Sequence, residues 1–137
     1  MTSCWINDYI GKPWVSGSQG PDAYDCYGLF RHIQREHFGI DVPFVTVDAD
    51  DIKAVMVSFH EPINFKSWQR QPTRHHGDAI IMRHHKYPSH IGVWIDDFGQ
   101  QGALHCVHGA GVVFSTVSAL MVSGWHHLEF WRHQGTN

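Results

Sequence analysis

What most limits the fold of this chain is a change of hydrophobic period near its middle. Beyond residue 76 the apolar residues come in short runs: "GDAIIMR", "SHIGVWIDD", "GALHCVHG", "GVVFSTV" and "WHHLEFWRH". Runs of this length, separated by turns bearing Gly and Asp, read as strands of an antiparallel sheet. Before the change the period is helical. From Cys26 the residues Leu29, Phe30, Ile33, His37 and Phe38 keep near-helical spacing, and Gly39 is placed to cap the end. Asp25, or Asp22 a little earlier, can accept from the free amides of the helix start. "DADDIKAVMVSFH" repeats the pattern, with Ile52, Val55, Met56 and Phe59 on one face, and predicts a second helix. Ahead of both, "GKPWVSGSQGPDAYD" is rich in Gly, Pro and Ser and reads as a shaped loop. Helices followed by antiparallel strands make an α+β fold. No linker, internal repeat or low-complexity tract interrupts the 137 residues, so one domain spanning 1–137 is expected. Trp125, Phe130 and Trp131 suit a half-buried strand and are expected in the core.

Composition removes several classes of function. The formal net charge is −3 and no basic run marks a nucleic-acid footprint. No apolar stretch approaches the roughly 20 residues that span a bilayer, so no membrane partner is expected. The opening "MTSCWINDYIGKPW" lacks a charged segment followed by an apolar one, which predicts synthesis in the cytoplasm without a signal peptide. Cys4, Cys26 and Cys106 make an odd number and argue against a disulfide framework. The thirteen histidines include the pairs His75-His76, His84-His85 and His126-His127. Adjacent side chains point in different directions, and no "CxxC" or "HExxH" spacing occurs, so neither a metal nor a cofactor is expected.

One cysteine stands where chemistry is possible. Free cysteines are usually buried and inert, but Cys26 falls at the first turn of the expected helix. There the helix dipole favours a thiolate, and amides without intrahelical partners can hold an oxyanion. Gly28 would leave room for a substrate backbone, although glycine inside a helix costs on the order of 1 kcal/mol relative to alanine. A base must come from the sheet. In "HIGVWID" strict alternation puts His90, Gly92 and Trp94 on one face and Ile91, Val93 and Ile95 on the other, the core face. A third group would orient His90 and fix its tautomer. His105 and His108 are three residues apart and lie on opposite strand faces, so at most one can serve; strand phase prefers His105 only mildly.

The ordered set "PWVSGSQGPDAYDCYGLFRHIQREHFGIDVP … GDAIIMRHHKYPSHIGVWIDDFG … ALHCVHGAGVV" resembles the NlpC / p-sixty family of papain-like cysteine peptidases. That family's pattern runs through a "P-[YF]-x-x-G" loop, "DCSGL" opening a helix, "GD" before a strand, "SHVGIYI" and "HA…G-V". The match covers residues 9 to 117, and the long form "GPDAYDCYGLFR…FGIDVP" looks most like the branch found in bacteriophage and prophage tail-tip assembly proteins.

The resemblance implies a helix bearing the cysteine, packed on an antiparallel sheet bearing two histidines. By position it makes Cys26 the nucleophile, His90 the general base and His105 the residue that orients it. It prefers His105 over His108 because the family's histidine stands six residues before the following "G-V", as His105 stands to Gly111. Trp14, Tyr27, Gly28 and Ser89 would border the substrate. Trp14 stands where the family usually has a tyrosine that helps the oxyanion hole, and Tyr27 replaces a serine. Loss of one oxyanion donor can cost on the order of 100-fold in rate. The implied substrate is the peptidoglycan stem peptide, most often its D-Glu to diaminopimelate bond, with other phage tail proteins as partners in a virion tail or prophage setting. Two alternatives share these residues: a catalytically weak tail-tip structural module, and an amidase or acyltransferase relative.

Overall fold

The computed structural model describes residues 5–42, 68–84, 88–97 and 99–134. Its strands are β1 (Trp68–Gln71), β2 (Ala79–Arg83), β3 (Pro88–Asp97), β4 (Gln100–Val107), β5 (Gly111–Ser115) and β6 (His126–His133). All neighbours are antiparallel, in the order β1-β6-β2-β3-β4-β5. The helix α1 (Cys26–Phe38) packs on β3 and β4, and the short helix α2 (Val117–Val122) precedes β6. This is the expected α+β arrangement, with Cys26 as the first residue of the helix.

Five of the six strands fall on the apolar runs of the sequence. β1 does not: its residues are "WQRQ", and only Trp68 is buried. A four-residue edge strand with one apolar anchor leaves no period to read, and its place is set by register with β6, Trp68 opposite His133. α2 was not foreseen either; Thr116 caps it by accepting from the Ala119 amide at 3.2 Å. The helix predicted over "DADDIKAVMVSFH" lies outside the described residues, as does Cys4. Among the described residues no helix is long and apolar enough to cross a membrane.

α1 begins and ends where its caps dictate. Asp25 Oδ1 accepts from the Gly28 amide at 2.6 Å, and Oδ2 accepts from the Gly17 amide at 2.9 Å. One carboxylate thus caps the helix and ties the preceding loop to it. At the other end Gly39 adopts φ 67°, a left-handed conformation that glycine takes without a Cβ penalty. Leu29, Phe30 and Ile33 are fully buried, each contributing about 1.5–3 kcal/mol by leaving water.

The sheet is covered on both faces. Toward α1 lie Ala79, Ile81, Ile91, Val93, Ile95, Leu104 and Cys106. On the opposite face Ile80, Met82, Trp94, Ala103 and Phe130 pack with Leu120 of α2 and with Trp125. The continuous apolar run of β2 is the local reason, since a strand buried on both sides does not alternate. The face of β3 that carries His90 and Trp94 is therefore a second core, not an open surface, and Trp125, Phe130 and Trp131 are all buried.

Candidate active site

His90 and His105 meet on that second face. His90 Nε2 lies 2.8 Å from His105 Nδ1, and His105 Nε2 lies 2.9 Å from Ser115 Oγ. Strand register produces the contact. Val93 opposes Leu104, and continuing the antiparallel count sets Gly92 across from His105, so His90 is the diagonal neighbour of His105. Gly92 is obligatory here. A Cβ at that position would sit 2.9 Å from the His105 Cβ and 2.9 Å from the Leu104 carbonyl oxygen. Ser115 follows from the next hairpin, where His105 opposes Val113 and Ala103 opposes Ser115.

The chain of contacts can run in either direction, and a base role for His90 fixes which. If Nδ1 of His90 is to accept a thiol proton, its Nε2 carries hydrogen and donates to His105 Nδ1; His105 Nε2 then donates to Ser115 Oγ. Both histidines are neutral at physiological pH. Burial holds His90 well below the ordinary imidazole range, with the neighbouring His105 and His84 adding to the effect. Burial alone brings His105 down to about 4.

Cys26 meets β3 at the residue next to His90. Its sulfur is served by the backbone amides of Ile91, the residue after His90, and of Tyr27. The dipole argument predicts a lowered thiol pKa, and the structure reverses it. Burial, followed by the Asp25 charge, pushes the Cys26 thiol up to about 12, more than the two amides recover. At rest both the thiol and the imidazole are thus neutral. Cys106, buried on the α1 face, donates its thiol to the Tyr24 carbonyl at 3.2 Å and has a thiol raised to about 12 by burial.

The remaining expected site residues divide. Trp14 is half-buried and meets His108 edge-on, ring centres 4.4 Å apart. His108 is exposed in the turn after β4, and His105 alone of the two bonds to His90. Tyr27 does not border open space: it is buried in the α1 core with its ring stacked at 6.1 Å on Phe30. Gly28 makes no room for substrate either. A Cβ there would be driven into the Ser18 carbonyl oxygen, so glycine is required by the close approach of the loop to the helix. Ser89 lies in β3, directly before His90. Ser115 was missed in the sequence, because only the register across the "HGAG" turn shows that it shares a face with His105. Among the described residues no cluster of three or more His, Cys, Asp or Glu side chains is arranged to hold a metal ion.

The profile of the NlpC/P60 family matches residues 11–129. The chain belongs to the NlpC/P60 family. Its fold is similar to that of a lipoprotein-like NLP/P60 family protein from Staphylococcus aureus, with a TM-score of 0.55 at 19% identity. That likeness covers 94% of this chain and 39% of the staphylococcal chain, so the present chain spans well under half the length of that protein. No curated protein sequence matches. NlpC/P60 domains are in general cysteine peptidases and amidases of cell-wall peptides. In this member the sulfur of the first residue of α1 is served by the amide next to His90, and His90 pairs with His105 across β3 and β4.

Proposed function

We propose that this NlpC/P60 chain is a cysteine endopeptidase of the peptidoglycan stem peptide, with Cys26 as nucleophile, His90 as general base and His105 as the group that orients it. The observation that carries the reading is the hydrogen-bonded run His90–His105–Ser115 ending beside the amide that faces the Cys26 sulfur. Because the thiol is neutral at rest, attack and deprotonation go together. His90 Nδ1 takes the thiol proton as sulfur bonds to the amide carbonyl carbon, and backbone amides at the head of α1 stabilise the oxyanion. The tetrahedral adduct then breaks its C–N bond, and the imidazolium returns the proton to the leaving amine. Neutral His90 next draws a proton from water, which adds to the thioester and releases the acid and the free thiol. The bond we assign is γ-D-glutamyl-diaminopimelate, in a phage or prophage tail acting on the host wall. Support for the tail setting is the resemblance of "GPDAYDCYGLFR…FGIDVP" to the tail-tip branch.

A second reading has one observation in its favour. Cys26 is only 5% exposed and its thiol is raised to about 12, as suits a structural tail module that keeps the fold but turns over slowly. Digestion of purified muropeptides separates the two. The peptidase reading expects cleavage between D-Glu and diaminopimelate, lost in Cys26→Ala and His90→Ala. Intact muropeptides with the wild type would establish the structural module, and cleavage at the sugar-linked amide would establish an amidase.

A further inference from the structure

The His90 ring has a second neighbour that the catalytic reading does not use. Trp125 stacks on it, ring centres 4.6 Å apart and planes 18° from parallel. His84 stacks on the same indole at 3.4 Å and 11°. Two imidazoles so near one indole and so nearly parallel to it cannot share a face without overlapping. The indole is therefore held between them, with His90 buried on one side and the exposed His84 on the other.

The backbone is built to hold this stack. The Trp125 amide donates to the Leu120 carbonyl at 3.0 Å, and Gly124, at φ 92°, turns the chain between them. A Cβ on Gly124 would lie 3.6 Å from the His84 ring, in ordinary contact, so it is the positive φ that calls for glycine there. The residue after Trp125 completes the clamp: His126 Nε2 lies 3.0 Å from the His84 carbonyl oxygen. Trp125 itself is 8% exposed and packs into the second core with Leu120 and Met82.

We propose that Trp125 is a positioning residue for His90, fixing the plane of its ring and keeping water from the His90–His105 hydrogen bond, with His84 pressing the indole from outside. This inference rests on the reading of His90 as the base. A bond between two neutral imidazoles is easily exchanged for bonds to water, and a ring free to turn about its side-chain torsions loses its aim at the thiol. A flat apolar surface against the ring prevents both. The titratable groups acting on His90 are His105 from β4 and His84 after β2; the Cys26 thiol from α1 lies at the amide of the next residue, Ile91, α2 contributes none, and His126 and His127 follow Trp125 on β6.

The test compares Trp125→Leu, which keeps apolar bulk without a flat face, with Trp125→Phe, which keeps a ring. Steady-state cleavage of a γ-D-glutamyl-diaminopimelate peptide should show kcat down on the order of tenfold or more in the Leu variant, with KM little changed and most of kcat restored in Phe. Nitrogen-proton correlation NMR of the imidazoles, in a Cys26→Ala background, should show one His90 tautomer in the parent and in Phe, and a mixture of tautomers in Leu. A folded Leu variant with a single His90 tautomer, or Phe and Leu equally impaired, overturns the proposal. Should Leu fail to fold, His84→Ala decides: without the outer imidazole the indole loses the ring stacked on it, and the same NMR measurement should show a mixture of His90 tautomers. A single His90 tautomer in a folded His84→Ala variant then overturns the proposal. The NMR readout needs no turnover, so an inactive wild type would sink the peptidase reading and leave the stack to be judged separately.

Discussion

Acid should weaken this fold in a defined window, and His105 should account for a measurable share. In the native protein His105 is brought down to about 4 by burial, against 6.5 for an ordinary imidazole. At about 1.4 kcal/mol per tenfold change in proton affinity, that difference is on the order of 3 kcal/mol. The sign follows from which state binds the proton. Above pH 6.5 both states hold His105 neutral and stability does not depend on it. Between 6.5 and 4 the unfolded chain takes up a proton that the native site refuses, so stability falls as pH falls; below 4 both are protonated and the dependence ends. His90, also held down by burial, should steepen the fall in the same direction. The measurement is urea unfolding followed by tryptophan fluorescence at pH 7, 5.5 and 4, on wild type and on His105→Gln. The variant should be less stable at pH 7, having lost hydrogen bonds to His90 and Ser115, yet lose about 3 kcal/mol less than wild type on going from pH 7 to 4. Parallel pH dependences in the two proteins would refute the reasoning, since His105 would then not be buried in its neutral form.

Two further outcomes follow from single contacts. Asp78 is 1% exposed and receives Arg132 in a two-pronged ion pair, Nε to Oδ1 at 2.8 Å and Nη2 to Oδ2 at 3.0 Å. Arg132→Ala should cost about 3 kcal/mol in urea unfolding by stranding that carboxylate, and Asp78→Asn added to it should recover part of the loss. Iodoacetamide at pH 7 should alkylate Cys26 more slowly than an unstructured cysteine peptide, with the rate climbing as pH rises, because its thiol is pushed up to about 12. Faster labelling than the peptide at pH 7 would show a stabilised thiolate and remove the neutral-pair mechanism.

Much of the arrangement is local and legible in the sequence. The α1 helix is written in the spacing of Leu29, Phe30 and Ile33 between an acidic cap and Gly39, and each of these acts within a turn or two of the chain. The strand phase of "SHIGVWI", which separates His90 from Ile91, is equally local, because alternation is a property of the extended backbone. What the sequence by itself determined, then, was α1 and the strands β2 to β6, the position of Cys26 at a helix start and the face of β3 that carries His90. Tertiary structure decided everything that depends on which distant segment comes alongside. The choice of His105 over His108 as the partner of His90, and the recruitment of Ser115, required the registers of β3, β4 and β5. The stacking of Trp125 on His90 required a turn more than thirty residues away to fold back on the sheet. Tyr27 and Gly28 were read as groove residues, but the core around Phe30 and the approach of Ser18 claimed that space. The protonation of Cys26 went the same way: the helix start acts through a partial charge over one turn, whereas desolvation sums over every neighbour packed around the sulfur, and here the sum is larger.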